Sequence, residues 1–289
     1  MSVPLNWQLR DRTLHPGRPP LVMGIVNVTP DSFSDGGRFL DPSAAIAHGL
    51  ELVRQGADLL DVGGESSRPG SLPIPLDEEL GRVLPVVRGL VANTNVPISI
   101  DTTKPEVADQ ALCAGAHAVN DVTALQGDSM AEVIRARGAG LVLMHAQGTP
   151  ATMQQNPHYD DVVQEVLEFL EARLQRARDL GIAVSQVVLD PGIGFGKTLE
   201  HNLLLLGNLS RLRRAGRPVL LGVSRKGFLG QLLGREVGDR LAGSLACACA
   251  ALADDSAQIL RVHDVAATRD AVGTWLAIRE RTIDTGESR

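Results

Sequence analysis

The 289-residue sequence predicts an α/β protein folded as one (β/α)8 TIM barrel. Three observations carry that reading: eight short apolar runs recur along the chain, segments with helical periodicity lie between them, and polar residues stand at the end of every run. The length suits one barrel domain of about 250 residues. Residues 21–289 are therefore assigned to the barrel, and residues 1–20 to an N-terminal extension with room for a small hairpin from Asn6 to Leu14.

In chain order the runs are Leu21 to Val28, Leu59 to Val62, Ile98 to Ile100, Ala116 to Val122, Gly140 to Met144, Val187 to Leu189, Val219 to Val223 and Ile259 to Val262. Each reads as a strand buried on both faces. Between them, Ala44 to Arg54, Glu78 to Val91, Pro105 to Leu112, Tyr159 to Leu180, Asn202 to Arg214 and Arg240 to Ala253 read as crossover helices. Pro42 after Asp41, and Pro105 before Glu106, suit first-turn positions. Gly56-Ala57-Asp58, Gly115-Ala116-His117 and Gly138-Ala139-Gly140 repeat one device, a glycine that ends a helix just before a strand. Eight such units favour closure over an open sheet.

A net charge of −6 argues against a nucleic-acid binder or a protein of anionic membrane surfaces, so any anion site must be local. The longest apolar run, Leu245 to Ala253, is far shorter than the roughly 20 residues that cross a bilayer. Met1 to Pro20 scatter Arg10, Asp11, Arg12, His15 and Arg18 among prolines without the apolar centre of a signal peptide, which predicts a cytoplasmic protein. Cys113, Cys247 and Cys249 are odd in number and lack CxxC spacing; they read as small packing residues rather than a disulfide or zinc set.

The chemistry is expected at the C-terminal strand ends. Asn27, Asp61 to Glu65, Asp101, Asn120-Asp121, His145, Asp190, Ser224 to Lys226, and Arg261 to Asp264 follow or close the eight runs. In a barrel those ends share one mouth, so these residues are expected to face a common cavity. Arg225, Lys226, Arg261 and His263 seek an anion, whereas Asp101 and Asp190 suit a donor-rich heterocycle. A ligand with an amino-pyrimidine face and a phosphate tail would satisfy both. Pro191 to Thr198 resembles a P-loop, but Pro191 stands where that loop needs glycine, and Lys197 spoils a dinucleotide fingerprint. Its glycines are expected to let the backbone approach a flat ligand. Two loops, Thr29 to Gly37 and Glu65 to Gly70, have the composition of a lid.

The runs Met23 to Gly37 and Asp61 to Gly70 resemble the two signatures of the dihydropteroate synthase family. The resemblance continues through Ser99 to Thr102, Asn120 to Val122, Asp190 to Lys197, Ser224 to Lys226 and Arg261 to Asp264, nearly the whole chain. It implies a transferase of folate biosynthesis that condenses 6-hydroxymethyl-7,8-dihydropterin diphosphate with 4-aminobenzoate, giving 7,8-dihydropteroate and diphosphate. On the family pattern Asp101, Asn120, Asp190, Phe195 and Lys226 would hold the pterin. Asn27, Ser67, Arg261 and His263 would hold the diphosphate, with Asn27 also a ligand of Mg²⁺. Phe33, Ser34, Ser67, Arg68, Pro69, Lys226 and Gly227 would shape the 4-aminobenzoate slot, and Asp35, Lys226, Arg261 and His263 would be catalytic.

Two positions depart from the pattern. Ser67 stands where the family usually has Thr, keeping the hydroxyl and losing a methyl; Gly227 stands where many members have a polar or basic side chain, leaving only a backbone N–H for the aminobenzoate carboxylate. The alanine-rich segment Leu241 to Ala253, near the last strand, is a candidate dimer surface, and a homodimer is expected. The alternatives are a non-catalytic pterin-binding paralogue, which the presence of Asp35, Arg68, Lys226 and Arg261 disfavours, and a pterin-dependent methyltransferase domain.

Overall fold

The computed structural model describes residues 5–29 and 41–281. Eight parallel strands alternate with helices: β3 (Leu21–Asn27), β4 (Leu59–Gly63), β5 (Ile98–Asp101), β6 (Ala118–Asp121), β7 (Gly140–Met144), β8 (Val187–Asp190), β9 (Leu220–Leu221) and β10 (Ile259–Val262). They pair in the order β8-β7-β6-β5-β4-β3-β10-β9. A single bridge from Leu189 to Val219 joins β8 to β9 and completes the ring. The main crossover helices are α1 (Pro42–Arg54), α2 (Leu76–Asn93), α3 (Pro105–Cys113), α4 (Asp128–Arg137), α5 (Val162–Asp179), α6 (Leu199–Gly207), α7 (Gly227–Leu233), α8 (Leu241–Ala253) and α9 (Val265–Arg279).

Parity along the strands explains why the runs are apolar without alternation. Leu60, Val62, Ile98, Ile100, Val119, Leu141, Leu143, Val187, Leu189, Leu221, Leu260 and Val262 pack outward against the helices. The residues between them, Met23, Leu59, Ala118, Val142, Val188, Leu220 and Ile259, form a second cluster inside the barrel. Side chains alternate across a strand, so one step of two residues keeps the inward face and advances about 6–7 Å toward the mouth. That step turns Leu59 into Asp61, Ala118 into Asn120, Val188 into Asp190 and Ile259 into Arg261. The apolar layer and the polar layer above it therefore sit on the same strands.

The N-terminal end of the barrel is closed by a plug. β1 (Trp7–Gln8) pairs antiparallel with β2 (Thr13–Leu14), and Trp7 and Leu9 join the inner cluster with their side chains fully buried. Trp7 would leave its indole N–H without water there, and Nε1 donates to the Gln186 carbonyl at 2.9 Å. A Cβ on Gly140 would lie 2.4 Å from Leu9 Cδ2 and 2.9 Å from Trp7 Nε1, so the first position of β7 has room only for glycine while the plug is seated.

Several elements differ from the sequence expectation. The fourth run is shorter as a strand than expected, and the seventh has only Leu220 and Leu221 in ladder pairing, with Val219 bridged to β8. The expected helix Asn202 to Arg214 splits into α6 and a 3-10 segment, Leu209–Ala215. Helices α4, α7 and α9 lie outside the expected helical segments; α7 is short and begins at a glycine. Asp41 caps α1 through Ser43 N–H with Pro42 in the first turn, as the sequence suggests. Gly138 caps α4 in the left-handed region at φ 63°. Cys113 is exposed rather than packed, while Cys247 lies partly buried against the core.

Candidate active site

The polar layer is a network centred on Arg261. Its Nε donates to Asp61 Oδ2 at 2.6 Å and its Nη2 to Asp101 Oδ2 at 2.8 Å, while Asn120 Nδ2 donates to the same Asp61 oxygen at 3.0 Å. Four strands, β10, β4, β5 and β6, are thus cross-linked through their inward side chains. One guanidinium shared by two carboxylates leaves a surplus of negative charge. Burial pushes the Asp101 carboxyl up to about 7, against the pull of Arg261, and Asp61 and Glu79 add to the rise.

A single hollow is lined by Ser67, Asp101, Asn120, Asp190, Phe195, Lys226 and Arg261 together with Val122, Met144, Gly192, Ile193 and Gly222. Asp190 closes β8; burial raises its pKa, while a hydrogen bond from Gly192 N–H, Lys226, Arg261 and Lys197 oppose the rise. Lys226 is the residue before α7, and its Nζ rests 4.1 Å from the centre of the Phe195 ring. Burial lowers its pKa to about 8 although Asp190 pulls the other way. Two buried acceptors in the network, Asp61 Oδ1 and Asn120 Oδ1, have no hydrogen-bond partner among the described residues. An unmatched buried acceptor costs about 1–3 kcal/mol, so this layer is built to receive donors.

On the rim, His263 Nδ1 lies 3.0 Å from Ser224 Oγ. Burial, then Arg261 and Arg225, push its pKa down to about 4, and Arg68 adds to the shift. His263 is therefore neutral near pH 7 and offers a hydrogen bond rather than a charge. The exposed Arg68 and Pro69 and the half-buried Ser67 lie in the second loop, whose Gly70 N–H donates to the Pro150 carbonyl at 2.9 Å. Asn27 is half-buried at the end of β3, and Gly227 is exposed at the first position of α7. Phe33, Ser34 and Asp35 lie outside the described residues.

Not every polar strand end faces the mouth. Asp121 has the outward parity; its carboxylate accepts from Thr123 N–H, Thr123 Oγ–H and Leu125 N–H and caps a turn. Arg225 is not free for an anion, because Asp264 holds it at 2.9 and 2.5 Å and ties the seventh loop to the eighth. Two glycines of Pro191 to Lys197 are also required by packing within the protein. A Cβ on Gly192 would sit 1.8 Å from the His145 carbonyl oxygen, and one on Gly196 would sit 2.3 Å from that of Gln147. The close approach at these two positions is to the loop that follows β7, and Gly192 also lines the hollow.

The sequence places Asp61 at the mouth but gives it no ligand role of its own. Its signal was parity: it lies two positions after Leu59, on the inward face. Sequence reasoning passed over Glu79, a buried carboxylate from the first turn of α2 that accepts from Thr102 Oγ–H and Lys104 Nζ, both at 2.6 Å. Lys104 also reaches Glu65 at 2.6 Å and so anchors the base of the second loop.

Comparison with known proteins agrees with this geometry. The family model described as pterin binding enzyme matches residues 23–263. The dihydropteroate synthase of Escherichia coli strain K12 is 44% identical over 270 residues, 93% of this chain and 94% of that protein. A solved dihydropteroate synthase of Xanthomonas albilineans with 4-aminobenzoic acid superposes with a TM-score of 0.90 at 48% identity, covering 97% of this chain and 100% of that one. A second structure from that organism, in complex with 7,8-dihydropteroate, gives 0.86 at 46% identity over 96% of this chain and 100% of that one. With its inward Asp-Asn-Arg network, its half-buried second-loop serine and agreement along almost its full length, this chain belongs to the dihydropteroate synthase family of pterin-binding enzymes.

Proposed function

We propose that the barrel mouth condenses 6-hydroxymethyl-7,8-dihydropterin diphosphate with 4-aminobenzoate, releasing 7,8-dihydropteroate and diphosphate. The observation that carries this reading is the pair of buried acceptors Asp190 and Asn120 on one hollow, with Asn120 Oδ1 and, in the same hydrogen-bonded network, Asp61 Oδ1 unmatched among the described residues. The amino group and ring N–H groups of a pterin are matching donors. Asp190 takes the donor pair, Asn120 and Asp101 complete the edge, and Phe195 offers a ring face to the flat heterocycle. Lys226 leaves that face when the pterin enters and then borders both substrates.

The diphosphate binds above Arg261, whose Nε and one Nη2 hydrogen are committed to Asp61 and Asp101, which leaves its other N–H groups for the anion. His263, neutral, donates a hydrogen bond, and Ser67 contributes its hydroxyl. For Mg²⁺ the chain offers the Asn27 amide oxygen, and no cluster of three or more acidic, His or Cys residues stands elsewhere among the described residues. One neutral oxygen donor fits a Mg²⁺ that arrives with a diphosphate, since this ion keeps waters and phosphate oxygens as its main ligands. Bound there, it would offset charge on the leaving diphosphate.

The C–O bond to diphosphate breaks first and leaves a methylene cation conjugated with the dihydropterin. The aminobenzoate amine then attacks it and loses a proton. Electrostatics supplies most of the acceleration: Arg261 and His263 stabilise the leaving group, and Asp35 of the first loop offsets the cation. Ser67, Arg68, Pro69, Phe33, Ser34 and the Gly227 backbone frame the aminobenzoate. The protein works in the cytoplasm as a homodimer. Leu232, Leu233 and Val237, exposed beside α8, support that assembly, and no helix among the described residues is long and apolar enough to cross a membrane.

The test mixes purified protein, Mg²⁺, the pterin diphosphate and 4-aminobenzoate and follows dihydropteroate. Product formation is expected. Pterin binding without product would favour the non-catalytic reading instead.

A further inference from the structure

Lys197 has no place in the mechanism above, yet it is one of the most deeply buried cations of the chain, with 2% of its surface exposed. Its Nζ meets three partners: His145 Nδ1 at 2.9 Å, the Gly192 carbonyl at 2.9 Å and the Phe195 carbonyl at 3.0 Å. An ammonium has three N–H donors, and all three are used. The two carbonyls belong to the turn between Asp190 and Lys197 itself. The rest of that turn is tied as fully: Gly194 N–H donates to Asn202 Oδ1 at 2.7 Å, Gln154 Nε2 to the Gly194 carbonyl at 3.0 Å, and Tyr159 Oη to the Gly196 carbonyl at 2.8 Å.

The fit survives loss of a proton. A neutral Lys197 amine keeps two donors for the carbonyls and accepts from His145 when the imidazole proton sits on Nδ1. The turn is therefore held in either state, but the electric field on Asp190 is not. Burial lowers the Lys197 pKa to about 7, while Asp190 pulls it up and Lys226 pushes it down.

We infer that Lys197 is a positioning residue for pterin recognition, which fixes the turn bearing Asp190 and Phe195 and keeps the Asp190 carboxylate ionised by a buried positive charge. The inference rests on reading Asp190 as the pterin acceptor. The charged groups acting on Asp190 are Lys197 from its own loop, Lys226 at the start of α7 and Arg261 from β10. Those around Lys197 are Asp190, Lys226 and His201 of α6, with His145 of the loop after β7 in contact. Protonated Asp190 loses its acceptor character toward the pterin N–H groups, so binding fails as the pH falls through its pKa. Removing the cation raises that pKa and moves the failure to higher pH.

The test measures the affinity of wild type, K197M and K197Q for 6-hydroxymethylpterin, without diphosphate or Mg²⁺, between about pH 5 and about pH 9. Both variants should bind about tenfold more weakly near pH 7, and both should lose binding at a higher pH than wild type on the acid side. The KM for 4-aminobenzoate at saturating pterin diphosphate should stay within about twofold. K197Q retains two donors for the carbonyls, so if K197M does not fold, K197Q carries the comparison. A purely structural lysine would weaken binding equally at every pH, and an unmoved acid limb in the folded variants overturns the inference. Absence of pterin binding by wild type would instead overturn the reading of Asp190 itself.

Discussion

The two ends of the barrel are made by the same strands and differ by two residues of sequence. At the N-terminal end Leu59, Ala118, Val188 and Ile259 close around Trp7 and Leu9. Two positions on, Asp61, Asn120, Asp190 and Arg261 hold buried charge and unmatched acceptors. The lower layer gains from excluding water and asks nothing of a ligand. The upper layer carries a desolvation cost that only partners offset, and one guanidinium between two carboxylates does not offset it fully. The contrast assigns stability to one layer and recognition to the other, and substitutions in each should separate the two properties.

The largest effect is expected from Asp190→Ala. It should lower kcat/KM by about 10³-fold or more, some 4 kcal/mol, and leave thermal stability equal or higher, because a costly buried carboxylate is gone. A matching collapse of the melting temperature would break the division of labour. Trp7→Ala should do the reverse, costing about 3–5 kcal/mol in denaturant unfolding while both KM values stay within about twofold at temperatures where the variant is folded. Gly192→Ala, just beyond the polar layer, should affect both properties. Its φ of +65° and the 1.8 Å approach to the His145 carbonyl predict a loss on the order of 2 kcal/mol together with weaker pterin binding, and calorimetric titration and melting of one sample would read both.

A smaller effect concerns pH. The Asp101 carboxyl, at about 7 in the folded protein against 3.8 ordinarily, keeps a proton that the unfolded chain gives up. Its contribution to stability is therefore complete below 3.8 and is lost as the pH rises toward 7. Asp101→Asn does not titrate, so its unfolding free energy should fall less than that of wild type between these limits; parallel curves would remove Asp101 as the titrating group. Ser67→Thr should change least, altering the KM for 4-aminobenzoate by less than about threefold.

Parity made much of this visible in the sequence. Apolar residues at successive positions predict strands covered on both sides, and Asp190 and Asn120 fall at run ends on the inward phase. What parity could not supply was partnership. Arg261 reads as an anion-seeking cation until Asp61, 200 positions away, is found against it, and Arg225 reads likewise until Asp264 accounts for it. Glu79 reads as a solvated first-turn residue of a helix, and only the packing of α2 against Thr102 and Lys104 shows it to be buried. Trp7, in a segment of scattered charge, gives no local sign that it stoppers the barrel. Each is a contact between distant segments, for which sequence spacing holds no signal.

The ring of strands has one thin join. β8 and β9 meet through the Leu189 to Val219 bridge, with Leu189 N–H also donating to the Pro218 carbonyl at 3.0 Å. At the plugged end Arg217 fastens the join by reaching the carbonyls of Val187, Ser185 and Asn6. Toward the mouth no side-chain hydrogen bond among the described residues fastens it in the same way, and the chain leaving these strands carries Asp190 on one side and Lys226 on the other. The barrel wall is thus least tied by ladder pairing at the joint whose outgoing chains carry Asp190 and Lys226, so the fold spends its fewest backbone bonds beside the residues that line the hollow.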